Sequence, residues 1–142
     1  MIIKSGFTLA VMGFAIFFFC LEKLGADWAV NFVTENFTYL YDQENIEEVS
    51  SGILRIWQEW LPSPKKVEEM VQEDRLRYTN WNHSLLLTEL DCGEGQQRLL
   101  EILEYDTSGN ITLMEDHSDS GWIFLIPGSV GEALFKSICP KK

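Results

Sequence analysis

Positive charge is scarce in this sequence: 11 lysines and arginines stand against 22 aspartates and glutamates, a formal net charge of −11. No basic patch interrupts that balance, so long-range repulsion argues against nucleic acid or an anionic membrane surface as partner. Histidine is rarer still. His83 and His117 are the only two, and with so few cysteines beside them no zinc-binding spacing can be found. Repeats of fixed period and low-complexity tracts are absent, so a solenoid is not expected. A length of 142 residues suits one globular domain and leaves no room for a second full core.

What is present begins with a hydrophobic leader. Met1-Ile2-Ile3-Lys4 is a short basic start, Gly6 to Cys20 is an unbroken run of hydrophobic and small residues, and Leu24-Gly25-Ala26 offers a small residue before a cut. Residues 1–26 therefore read as a secretory signal peptide, and residues 27–142 as the exported domain that starts at Asp27. The alternative is a retained anchor, because the run approaches the ~20 residues that a membrane span needs. In that case an uncleaved leader would be the chain's one contact with a membrane. Phe17-Phe18-Phe19 ahead of Cys20 lacks the small residues that precede a lipidated cysteine. Cleavage removes Lys4, Lys23 and Glu22, so the formal charge moves from −11 to −12. It also removes Cys20 and leaves Cys92 and Cys139, an even pair that reads as one disulfide in an exported protein. Two unpaired buried thiols are the alternative.

Downstream, hydrophobic alternation organises the chain. Trp28, Val30, Phe32 and Thr34 alternate with their neighbours, Phe37, Tyr39 and Tyr41 repeat the pattern after Glu35-Asn36, and a hairpin is expected. Asp42 to Ser50 is polar and reads as a surface loop. Beyond Gly52, the stretch ILRIWQEWL predicts a strand half-buried on both faces. Ser63-Pro64 starts a surface helix that should run to about Arg77, with Val67, Met70 and Val71 as a narrow apolar stripe. WNHSLLLTELDC and RLLEILEYD, joined through Gly93 and Gly95, predict a second hairpin with Cys92 near its turn. A turn at Thr107 to Asn110 leads to a short strand from Ile111 to Met114, and Glu115 to Ser120 is a polar loop.

The closing stretch is the most informative. Trp122 to Ile126 suits a strand, stopped by Pro127-Gly128. Ser129 and Glu132 then stand at the spacing of a capping box, so a helix starts at Val130. Val130, Ala133, Leu134, Ser137 and Ile138 form its covered face, with Cys139 in its last turn. Strands, one helix, more strands and a final helix, joined mostly by hairpin-length links, argue for an α+β fold: an antiparallel sheet, a middle surface helix and a C-terminal helix packed on the sheet.

Candidate chemistry is thin. Pro127-Gly128-Ser129-Val130-Gly131 resembles a nucleophile elbow between strand and helix, but proline stands where that motif needs glycine, and the cap explains Ser129 better. A serine hydrolase using Ser129 is the lesser alternative. Asp116 to Gly121 hints at a calcium loop, yet position twelve would be Pro127 in place of a bidentate glutamate. Asn36, Asn82 and Asn110 begin glycosylation acceptor triplets, a pattern too short and common to carry a function. Five tryptophans, at 28, 57, 60, 81 and 122, are expected mostly in the core with partnered indole N–H groups, while one or two on an open sheet face would make a binding surface.

A leader ending before Asp27-Trp28, Tyr39 and Tyr41 ahead of Asp42, Asp91-Cys92, Tyr105 to Asn110 (YDTSGN) and the final Trp122 to Cys139 block occur together. This set resembles the bacterial surface-adhesin protein E family across the whole exported chain. The resemblance implies a small extracytoplasmic α+β domain whose C-terminal helix is tied to the sheet by a Cys92–Cys139 disulfide. It also implies an adhesin-like function, since the family's named member binds host matrix proteins. The expectation is an exported, non-catalytic domain, periplasmic or at the cell surface, that needs no cofactor and recognises a protein partner of the extracellular matrix or the envelope. A structural subunit of an envelope assembly, adding strands through exposed sheet edges, is the alternative.

Overall fold

The computed structural model describes residues 26–141, so all of the expected leader but Ala26 lies outside the described residues. The period-two stretches become eight strands of one sheet: β1 (Trp28–Val33), β2 (Phe37–Asp42), β3 (Glu47–Ser50), β4 (Ile53–Pro62), β5 (Trp81–Asp91), β6 (Gln96–Asp106), β7 (Ile111–Asp116) and β8 (Ile123–Phe124). Three helices interleave with them: α1 (Pro64–Glu73), α2 (Arg75–Tyr78) and α3 (Val130–Ile138). Every pairing is antiparallel, in the order β1-β2-β4-β5-β6-β7, with β3 on β4 and β8 on β6. The fold is α+β, as the element order implied.

Three local expectations are corrected. The polar loop from Asp42 ends in a strand, because Gly52 takes a left-handed φ of 74° and turns Glu47–Ser50 back onto β4. The middle helix does not run unbroken to Arg77. Asp74 adopts an extended φ of −143°, closes α1 with its N–H on Met70 O, and starts α2 by accepting the N–H of Arg77 at 3.1 Å. A short carboxylate competing for backbone donors is the cause of that break. The strand at Trp122 to Ile126 shrinks to Ile123–Phe124. Its available partner is the turn-proximal end of β6, Gln96 and Gln97, since β7 already pairs that edge of β6 from Glu101 to Tyr105.

The sheet has an inner and an outer face. On β5 the inner residues Ser84, Leu86, Thr88 and Leu90 are all buried, whereas the outer Leu85 and Leu87 are half-buried. Ile56, Leu90 and Leu134 are each 0% exposed and form the centre of the core, with Tyr41, Leu54, Leu125, Phe135 and Ile138 packed around them. At the other end of the inner face lies an aromatic cluster. Tyr39 and Trp60 meet edge to face at 5.0 Å between centroids, and Phe37 and Tyr78 pack against Trp81.

Helix α3 holds the inner face from both sides. Asn31 of β1 donates to Val130 O at 3.3 Å and accepts from Ser137 Oγ at 3.4 Å, while Gly131 lies against the side-chain amide of Gln97 on β6. In a flat sheet β1 and β6 would stand about 19 Å apart, four strand spacings. One helix end reaching both requires the inner face to be concave. A disulfide between Cys139, which caps α3, and Cys92, just past β5, fastens the other end.

Removing that bridge by Cys92→Ser releases a loop whose ends are 47 positions apart. The expected loss is about 4 kcal/mol in the chain-entropy account, read as a lower denaturant midpoint. Leu134→Ala, which empties the fully buried centre, should cost about 2–5 kcal/mol by the same measurement.

Candidate functional site

The contacts that place α2 and α3 fall on the inner face. Leu134 packs on Ile56 and Leu90, and Arg77 forks onto Glu104 at 2.9 and 3.0 Å. Among the described residues, neither of these two helices makes such a contact with the outer face. One row of it can be followed through six strands by register: Val30, Leu40, Glu59, Leu85, Leu103 and Met114. Its ends are open, with Val30 61% and Met114 64% exposed, and its middle is half-buried or buried by neighbours on the sheet. Trp57 and Leu87 face each other in the next row.

A charged ladder borders this apolar band. Glu47, Arg55, Glu89 and Arg98 are consecutive cross-strand partners on β3, β4, β5 and β6. Glu89 is the hub: it is 1% exposed, accepts Arg55 Nε and Nη2 on Oε1 at 3.1 and 2.7 Å, and accepts Arg98 Nε on Oε2 at 2.7 Å. Trp122 lies over the Arg98 guanidinium, 4.7 Å from its ring centroid, a cation–π contact that fixes the edge of the site. Burial alone would push the Glu89 carboxyl upward. Hydrogen bonds from Arg55 and Arg98, with their two charges, outweigh burial and hold it below the usual carboxylate range. The far border is aromatic: His83 stacks on Tyr105 at 4.8 Å, with its Nε2 3.9 Å from Glu59.

The tryptophans divide between the faces, against the expectation that most are core. Trp81 alone is buried, and its Nε1 donates to Ser84 Oγ at 3.3 Å. Trp60 lies half-buried in the inner aromatic cluster, and its Nε1 is shielded without a hydrogen-bond partner. Trp28, opposite Asp42, and Trp57 belong to the outer face by register, and Trp122 joins them through Arg98. Flat amphipathic rings with fixed arginines are the side chains that dominate protein–protein hot spots. The arrangement suits recognition of a surface.

The residues singled out in the sequence occupy other places. Ser129 Oγ accepts the N–H of Glu132 at 3.2 Å, while Glu132 Oε1 reaches the N–H of Gly128 at 3.5 Å, so the cap is one-sided where a reciprocal box was expected. His117 pairs with Glu115 at 3.0 Å and His83 faces Glu59; neither is a partner of Ser129. Asp116 Oδ1 is taken by the N–H of Ser118, and among the described residues no three metal-binding side chains converge. Cys92 and Cys139 are joined to each other. The outer-face ladder was missed because its members are scattered over 52 positions of sequence, from Glu47 to Arg98, and become neighbours only through register. A signal existed: Arg55 and Glu89 each share strand parity with an outer tryptophan or leucine.

Compared with known proteins, residues 28–140 match the family model described as surface-adhesin protein E. No curated protein and no solved structure matches the chain.

Glu89 makes a pH prediction. Its folded pKa lies below the unfolded value of 4.5, so the stability it supplies is complete above that value and is lost as pH falls through the folded one. Wild type should lose stability relative to Glu89→Gln on acidification below about pH 4.5, with the gap between them closing. At neutral pH Glu89→Gln should be less stable by about 2–3 kcal/mol, because two guanidiniums then lack their counter-charge.

Proposed function

The chain belongs to the surface-adhesin protein E family, and on that premise we propose that it is an exported, non-catalytic adhesin-like domain that binds a protein partner through the outer face of its sheet. The observation that carries this reading is the outer-face band of half-buried Leu40, Trp57, Leu85 and Leu87, ending in the exposed Val30 and Met114 and framed by the Arg55–Glu89–Arg98 ladder and by His83 on Tyr105. Six strands at about 4.8 Å spacing and about eight residues of average length give a face on the order of 800 Å². A standard protein–protein interface takes ~800 Å² from each partner, so one side of this sheet is near the needed size.

The hydrophobic leader of residues 1–26 supports export, and no helix among the described residues is long and apolar enough to cross a membrane. Partner recognition is then a matter of shape and of preset charge. Arg55 and Arg98 cannot relax toward a ligand without abandoning Glu89, so they offer a fixed pattern. A partner from the envelope or the extracellular matrix would present apolar side chains to the band and carboxylates to the exposed rim of the two guanidiniums.

A second reading, a subunit adding its edge strand to an envelope assembly, draws on β7. That strand is bonded on one side only, and Ile111 and Met114 on it are 48% and 64% exposed. Size-exclusion mass separates the two, since strand addition between copies would give an oligomer.

Immobilised protein should retain a discrete partner from envelope or matrix fractions, and Trp57→Ala should weaken retention by about 2 kcal/mol, roughly thirtyfold, with unfolding little changed. Retention that is equal for wild type, Trp57→Ala and Leu87→Asp would rule out the outer face as the binding surface.

A further inference from the structure

On the opposite side of the sheet, between its concave face and α3, lies a cavity of about 620 Å³. That is within the 300–1,000 Å³ typical of small-molecule sites. Its walls are mainly apolar: Trp60 and Leu86 rise from β4 and β5, Leu99 from β6, Ile123 from β8 and Val130 from the first turn of α3. This space is an outcome of the fold. The aromatic cluster fills one end of the concave face and Leu134 the other, and neither reaches the middle strip over Gln58 and Thr88.

Two polar side chains of the strip are paired with each other. Gln58 and Thr88 are both buried, and Gln58 Nε2 donates to Thr88 Oγ1 at 2.8 Å. Gln97 is held over Gly131, where a side chain in place of the glycine hydrogen would collide with its amide. Charge is kept elsewhere. Arg98 borders the cavity, but its guanidinium is bound to Glu89 and lies under Trp122 on the outer face. At the positive end of α3 the Glu132 carboxylate supplies the negative charge: Lys136 Nζ donates to it at 2.6 Å and Gly128 N–H at 3.5 Å, and both hold its carboxyl below the usual range. A charged ligand would enter without a free counter-charge and would lose its hydration. Ile123, by contrast, stands in the wall with 55% of its surface open, apolar area that an occupant would cover.

We infer that the protein binds a small, uncharged, largely apolar molecule in the cavity between α3 and the concave face of the sheet. This site is separate from the outer face and does not depend on the adhesin reading. A protein that meets envelope and matrix surfaces with one side would carry a hydrophobic small molecule on the other.

N-phenyl-1-naphthylamine and its sulfonated counterpart 8-anilinonaphthalene-1-sulfonate share one ring system and differ by a charge, so they test the inference directly. The neutral probe should bind the purified protein saturably at one site, at least tenfold more tightly than the sulfonate. Leu99→Trp or Val130→Trp, which fill the space from opposite walls, should each weaken the neutral probe at least tenfold, while Trp57→Ala on the outer face leaves it unchanged. Comparison of both filling variants guards against one that fails to fold, which far-ultraviolet circular dichroism identifies. Absence of saturable binding, tighter binding of the sulfonate, or binding lost in Trp57→Ala and kept in the folded filling variants would overturn the inference.

Discussion

The structure depends on α3 being held across the concave side of the sheet. Leu134 supplies the burial, packing at 0% exposure on Ile56 and Leu90, and the Cys92–Cys139 bond supplies the constraint at the helix's far end. Each needs the other. A nine-residue helix is too short to be stable alone, and the disulfide by itself would only shorten the unfolded chain. Together they fix the helix over β4 and β5, and Asn31 and Gln97 then draw β1 and β6 toward it. Curvature of the sheet, the cavity beneath α3 and the exposure of the outer face all follow from that placement.

Much of the architecture was legible because local signals agreed. Ser63-Pro64 and Ser129 with Glu132 mark helix starts by capping chemistry that acts within four residues, and both helices begin there. Alternation in LRIWQEW and SLLLTEL gave the strands, since a sheet with one buried side imposes period two. Errors arose where a distant contact decided the outcome. Glu47–Ser50 has no strong alternation of its own and becomes a strand because β4 offers an edge; Leu125 and Ile126 have β-like character, but the antiparallel register carries them past Gln96 into the turn before β6, where the N–H of Leu125 bonds Gly95 O at 3.1 Å. The tryptophans were misplaced for a related reason. Composition says that large rings seek burial, and only the register of Trp28 and Trp57 and the contact of Trp122 with Arg98 show that they fall on the outer face.

The proposed binding face was the least legible feature. No motif announces it, because Arg55, Glu89 and Arg98 act as one unit only after three strands align. Burying Glu89 between two guanidiniums costs hydration, which the bonds from Arg55 and Arg98 outweigh. It also gives rigidity: two arginines with known positions on a surface that would otherwise be a plain hydrophobic strip.

Why one face stays open can be argued from helical length alone. The three helices among the described residues have 10, 4 and 9 residues. At about 1.5 Å per residue, α3 spans on the order of 13 Å, roughly half the width of a six-strand sheet. One side can be roofed if the sheet curls under the helix, and curling opens the other side further. That convex side must therefore survive in water without cover. An unbroken apolar face of this size would invite self-association, so the chain places Glu59, Glu101 and the buried ladder at intervals among the leucines and leaves the excess of acidic residues to keep copies apart. On the proposed reading, a partner that docks on this face supplies its own apolar contacts and matches two fixed arginines, which is the kind of discrimination a recognition surface requires.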